Sequence, residues 1–217
     1  MGASSFPRLG QSSTTSARGL WYARFMRARL LMPAIAAVVC AALAVPAVAQ
    51  FPAPPAAGSL APYVPTPQDV VDRMLSLANV TASDVVYDLG CGDGRIVVTA
   101  AKKFGARGVG VDFDPDRIKE SEANAKAAGV EHLVTFKLQD ALTVDVSPAT
   151  VVTLYLLSSS NAKLRPNLTR QLRPGARIVS HAFSMGDWTP EKTDLFTDSG
   201  GTPRTLYRWI TDGKVRP

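Results

Sequence analysis

The chain predicts an α/β fold: a Rossmann-like, doubly wound and mostly parallel sheet with helices on both faces, closed by a C-terminal antiparallel hairpin. Three observations predict it. From about residue 66 onward, short runs of β-formers alternate with helix-patterned segments. A glycine-rich turn links the first strand to the helix that follows it, within residues 85–112. The last two β-like runs are separated only by a Ser/Gly/Pro turn, so they should pair with each other.

Each element has its own local cause. Thr66 is a natural N-cap with Pro67 at the first helical position, and Val70, Val71, Met74, Leu75 and Ala78 mark one helix face. Residues 84–89 read as the first strand and residues 95–103 as an Ala-rich helix, with a second strand over residues 108–111. Asp114 starts a helix over residues 115–128, which Gly129 ends. Residues 134–138 and 150–157 read as the third and fourth strands, the latter of buried type. Leu164, Leu168 and Leu172 space a helix that stops at Pro174-Gly175, and residues 177–180 make a fifth strand. Residues 193–197 and 205–211 complete the hairpin.

The glycine turn carries the chemistry. Asp88, Gly90, Gly92 and Gly94 follow one another at alternate positions, and Asp112 ends the next strand. Glycine allows the turn and the close approach of a ligand to the main chain. Asp112 sits where a carboxylate can accept from both hydroxyls of a ribose. The dinucleotide pattern G-x-G-x-x-G aims a helix N-terminus at a pyrophosphate. Here Asp88 precedes the first glycine and Asp93 lies inside the turn, and both would repel phosphate. They suit a ribose-bearing ligand with a cationic ammonium and no phosphate, and S-adenosyl-L-methionine meets that description.

At these residues the chain resembles the class I S-adenosylmethionine-dependent methyltransferases, whose first motif is D-x-G-x-G-x-G. The resemblance implies a seven-stranded sheet and a cofactor site at the carboxyl ends of its strands, where Asp88, Asp112, Asp140, Tyr155 and His181 all fall. It assigns Asp140, after the third strand, to the adenine amino group; a solvated surface carboxylate is the alternative. A narrower resemblance is to the lysine methyltransferases related to the mitochondrial ATP-synthase c-subunit enzyme. It rests on Tyr63-Val64-Pro65-Thr66, on D-L-G-x-G-D-G-R-I from Asp88 to Ile96, and on Trp188-Thr189-Pro190. By that resemblance Tyr63 and Thr66 belong to the cofactor site; a helix cap beside a packing aromatic is the other reading.

Methyl transfer asks little of side chains, because in-line positioning of the nucleophile supplies most of the acceleration. An amine must also be neutral when it attacks. The N/D-P-P-Y segment of many amino-methyltransferases is replaced here by Tyr155-Leu156-Leu157-Ser158-Ser159, which argues against a nucleic-acid adenine or glutamine-amide acceptor. Tyr155 either orients an acceptor or is an interior aromatic with a satisfied hydroxyl. His181 is a candidate base, or a structural histidine at a strand end. Trp188 walls an acceptor pocket or packs on the sheet edge. No zinc-ligand cluster, Walker sequence or serine triad occurs in the sequence, and His132 stands alone in a turn. The reading is therefore methyl transfer to an amine, protein lysine first. A small-molecule O- or N-methyltransferase is second, and a non-catalytic S-adenosylmethionine-binding protein is the third possibility.

The first 49 residues read as a disordered Ser/Thr/Gly-rich extension followed by a leader. Arg24, Arg27 and Arg29 precede an apolar run over residues 30–48 that ends Ala47-Val48-Ala49, the pattern of a cleavable signal peptide. Export to the cell envelope (the periplasm) follows, with membrane anchoring by residues 30–48 as the alternative; membrane contact is expected only through that segment. Residues 50–65 form a stiff Pro-rich linker, and residues 66–217 the methyltransferase domain. The leader holds 5 arginines and no acid, so of the formal +6 only +1 remains from residue 50 onward (19 basic, 18 acidic). With no excess positive field, no nucleic-acid partner is expected. Cys40 lies in the leader, leaving Cys91 without an intramolecular partner after cleavage.

Overall fold

In the computed structural model, which describes residues 60–217, strand β1 (Val85–Leu89) is the middle of everything else. It pairs in parallel with β2 (Arg107–Asp112) on one side and β4 (Val151–Leu154) on the other. β3 (Val134–Leu138) extends the sheet beyond β2, and β5 (Arg177–His181) beyond β4, both in parallel. The order reverses beside β1, which is where an open α/β sheet leaves a crevice at its carboxyl edge. β7 (Pro203–Ile210) runs antiparallel to β5, and β6 (Lys192–Thr197) pairs antiparallel with β7 at the rim. The seven strands lie in the order β3-β2-β1-β4-β5-β7-β6.

Strand periodicity sorts side chains to two cores. Val86, Val151, Val179 and Leu206 face α1 (Gln68–Leu77), α2 (Arg95–Phe104) and α3 (Pro115–Ala128), meeting Val70, Met74, Ile96, Val97 and Ala125. Tyr87, Leu89, Val152, Ile178 and Trp209 face the other way, onto Leu164, Leu168 and Leu172 of α4 (Ser158–Gln171) and its C-terminus, and onto Val144 and Val146. Trp209 is fully buried, and its indole N–H donates to the Trp188 carbonyl at 2.8 Å. Trp188 is thus packed beside Trp209, with ring centroids 6.0 Å apart, rather than at the crevice.

Two boundaries at the crevice differ from expectation. α1 starts at Gln68 with Pro67 in the cap position; Thr66 caps nothing through its side chain and is buried at the cavity. β4 ends at Leu154, three residues early, because Tyr155 and Leu156 leave the strand to line the crevice and Leu157 caps α4. Among the described residues no helix is long and apolar enough to cross a membrane. The leader and most of the Pro-rich linker lie outside the described residues.

Candidate active site

The glycine turn folds back on β2. The N–H groups of Gly90 and Cys91 both donate to the Val111 carbonyl, at 2.8 and 3.0 Å, and Gly92 N–H donates to Asp112 Oδ2 at 2.9 Å. Gly92 has φ +54°, and a Cβ there would lie 2.5 Å from Tyr63 Cε2, so the residue is needed both for the bend and for the ring against it. Gly94 answers to a different neighbour. A Cβ on it would meet Phe136 and Ser121 at 2.7 Å, so it lets α2 approach β3 and α3 and does not line the crevice. Packing is thus one role that the geometry gives this glycine.

Between turn and strand ends lies a cavity of about 300 Å³. Its floor is Asp88, 3% exposed, whose Oδ1 accepts from the Thr153 hydroxyl at 2.8 Å. Burial first, then the nearby Asp112 and Asp93 charges, push the Asp88 carboxyl up to about 7, against the Thr153 bond. Asp112 uses one lone pair on each oxygen for the backbone, Oδ2 from Gly92 N–H and Oδ1 from Asp114 N–H at 3.0 Å. Each oxygen keeps a second acceptor site, as a vicinal diol requires. Asp93, read from sequence as a partner for a ligand's cation, is instead held by Arg95, whose Nε lies 2.9 and 3.0 Å from its two oxygens. Asp140 is exposed at the rim, with Oδ1 accepting from Leu142 N–H at 2.9 Å, which closes the turn after β3.

Residues 60–66 cross the cavity as a strap. Tyr63 lies on Gly92 with the Arg117 guanidinium 4.5 Å above its ring, and Arg95 Nη1 donates to the Thr66 carbonyl at 2.8 Å. At the other end the Ser160 hydroxyl donates to the Leu60 carbonyl. Tyr63 and Thr66 therefore both border the cavity, together with Asp88, Gly90, Gly92, Asp112, Asp140 and Tyr155. Sequence reasoning missed Arg95, Arg117, Phe113 and Leu156. Arg95 stands inside the quoted motif and Phe113 follows Asp112 directly, so both had a positional signal; Arg117 reaches Tyr63 across the fold and had none.

His181 is not at the cavity. It is fully buried and stacked behind Tyr155, with ring centroids 4.0 Å apart. Neither ring nitrogen has a hydrogen-bond partner among the described residues. Burial, reinforced by Arg204 and opposed by Asp198, lowers its pKa to about 4. As a direct base it is misplaced: a residue walled off by Tyr155 cannot reach an acceptor amine. Cys91 is equally unsuited to chemistry, since burial pushes its thiol up and keeps it protonated.

The chain has clear relatives. The ANTKMT methyltransferase domain matches residues 88–192. A protein-lysine N-methyltransferase from Saccharolobus islandicus (strain REY15A) is 45% identical over 150 residues, 69% of this chain and 92% of that protein. The lysine N-methyltransferase of Xenopus laevis that acts on the ATP synthase c-subunit is 31% identical over 130 residues, and the match spans 60% of this chain but only 57% of that protein. A crystal structure named as an RNA methyltransferase from Salinibacter ruber, in complex with S-adenosyl-L-homocysteine, superposes with a TM-score of 0.66 at 55% identity, covering 70% of this chain and 97% of that one.

Proposed function

Since the chain belongs to the S-adenosylmethionine-dependent methyltransferases of the ANTKMT domain family, we propose that it methylates the ε-amine of lysine in a protein acceptor. The observation that carries the reading is the 45% identity across 92% of a protein-lysine N-methyltransferase. The site's charge supports it. With Asp93 paired to Arg95, the residues lining the cavity still include the carboxylates of Asp112, Asp114 and Asp140. Such a field favours a cationic acceptor and disfavours a phosphate-bearing one.

The cavity suits the cofactor. Asp112 has acceptor capacity left for the ribose, and Gly90 and Gly92 expose main chain beside the buried Asp88 carboxylate. Phe113 and Asp140 flank the far end, where an aromatic face and a carboxylate would hold adenine. When bound, S-adenosyl-L-methionine supplies a methyl group already activated on a sulfonium. What the protein adds is placement and dryness: the strap roofs the site, and Tyr155 and Leu156 form the wall nearest α4.

An RNA acceptor is the second reading, favoured by the name of the Salinibacter protein and opposed by the near-neutral charge from residue 50 onward. The test incubates the full chain with tritiated S-adenosyl-L-methionine and, separately, envelope protein, total RNA and a small-molecule extract. Label on protein, mapped to methylated lysine by mass spectrometry, is the expected result; label confined to RNA or to small molecules would overturn the lysine reading. We also propose that the domain works in the cell envelope, on the strength of the arginine-flanked apolar run and its Ala-Val-Ala end. N-terminal sequencing of the envelope-fraction protein should begin at Gln50; an intact leader on a protein found in the cytosolic fraction would refute export.

A further inference from the structure

Tyr155 is the cavity's wall toward α4, and behind it His181 and Phe183 complete an aromatic cluster that lies outside the cavity lining. Tyr155 borders the cavity, and one of its faces is taken by the His181 ring at 4.0 Å and 28°. Phe183 braces it, with centroids 6.3 Å apart at 32°. Between the last two lies Ala182 at φ +64°, a conformation that side-chain-bearing residues rarely adopt. Phe183 N–H donates to the His181 carbonyl at 2.8 Å, and Ala182 N–H is tied to the Thr205 carbonyl at 2.8 Å. The Phe183 carbonyl accepts from the Ser180 hydroxyl at 2.7 Å and from the Asn161 amide at 3.1 Å. Such strain persists only where surrounding bonds over-determine it, and it gathers at functional sites.

The charge of this cluster is as telling as its shape. An imidazole without exposure, and with no partner on either nitrogen among the described residues, is held neutral, so it places no cation behind the tyrosine ring. With one face covered by His181, the ring's attraction for a cation is available where Tyr155 borders the cavity. Resting on the lysine reading above, we infer that Tyr155, backed by His181 and braced by Phe183, is the platform that grips the acceptor's ammonium by cation–π contact. Each transfer follows loss of one ammonium proton to water, breaks the cofactor's S–CH3 bond and forms an N–CH3 bond; the product is again a cation with more apolar surface, so the same platform retains mono- and dimethyl-lysine for further transfer. The acceptor class is cationic amines at every methylation level, and the expected end product is trimethyl-lysine. His181 and Phe183 are positioning residues, acting through Tyr155.

The full chain is given a Gly/Ala peptide carrying one central lysine, and mono-, di- and trimethyl products are resolved by mass spectrometry alongside calorimetric S-adenosyl-L-homocysteine binding. Wild type should give mainly trimethyl product. With cofactor held at saturation for each variant by the calorimetric affinity, Y155L should lower the trimethyl share at least fivefold and F183L by a smaller factor, while Y155F, which keeps the ring, should restore the trimethyl share. A second measurement needs no variant. With S-adenosyl-L-homocysteine bound, the trimethyl-lysine peptide should bind at least tenfold tighter than its uncharged tert-butyl isostere. Equal binding of the two, or an unchanged product ratio in Y155L, would overturn the platform while leaving lysine methylation standing. Transfer to RNA with none to peptide or protein lysine would remove both.

Discussion

Replacing Asp112 with alanine separates the two tasks this carboxylate performs. In the folded protein it accepts one backbone N–H on each oxygen, from Gly92 and from Asp114. Hydrogen bonds to an ionised group contribute about 1.5–3 kcal/mol each, and water entering the open cavity would recover part of that. The loss of stability should therefore fall near the low end for two bonds, about 2–4 kcal/mol. One effect opposes it: the Asp112 charge is among the causes that raise the Asp88 carboxyl, so its removal eases ionisation of the floor. For cofactor, losing the ribose acceptors should cost about 1–3 kcal/mol, or roughly 5- to 150-fold in Kd. Isothermal calorimetry with S-adenosyl-L-homocysteine, run well below the variant's Tm, measures the second quantity, and thermal melts the first. Asp112→Asn keeps one acceptor oxygen and should fall between wild type and alanine in both. If Asp112→Ala melts lower yet binds within twofold of wild type, the carboxylate only braces the loop and its ribose role is wrong.

Four further outcomes follow from the same geometry. Gly92→Ala should eject the Tyr63 ring, because the new Cβ would lie 2.5 Å from it at φ +54°; stopped-flow dissociation of S-adenosyl-L-homocysteine should quicken at least about tenfold, given a roof loosened by a few kcal/mol. Asp88, raised by burial to about 7, binds its proton more tightly folded than unfolded, so its contribution to stability is full below about pH 4 and is lost as pH rises to about 7. Cofactor affinity should run the other way, tightening from pH 6 to 8 as the floor ionises, and Asp88→Asn should flatten both profiles in melts and calorimetry. His181, lowered to about 4, has the opposite stability slope, losing its contribution as pH falls from 6.5 to 4, and an Asp88→Asn melt series should leave that slope visible. Finally, Arg177→Met strands Asp84, 5% exposed and also bonded by Thr81 and Thr150, at the sheet edge opposite the cavity. It should cost about 3–5 kcal/mol of stability with cofactor Kd unchanged, and an altered Kd would mean the two edges are coupled.

The fold class, the glycine turn and the acids at the strand ends were legible in the chain itself, because each rests on local rules. Alternation of period 2 assigns Val86 to one core and Tyr87 to the other, an Asp before Pro115 starts α3, and glycine alone suits the bend beside Asp112. Those rules act over a few residues, so sequence sufficed to bring the glycines and acids to one edge of the sheet. Other assignments depended on which distant segments meet. Gly94 became a packing residue because Phe136 and Ser121 arrive against it, and Asp93 was neutralised by Arg95. Arg117 reached Tyr63 from α3, and His181 slid behind Tyr155, out of the cavity's reach. Burial and partner choice are properties of the assembled sheet, since the same carboxylate or imidazole titrates and bonds differently according to what the tertiary fold lays over it.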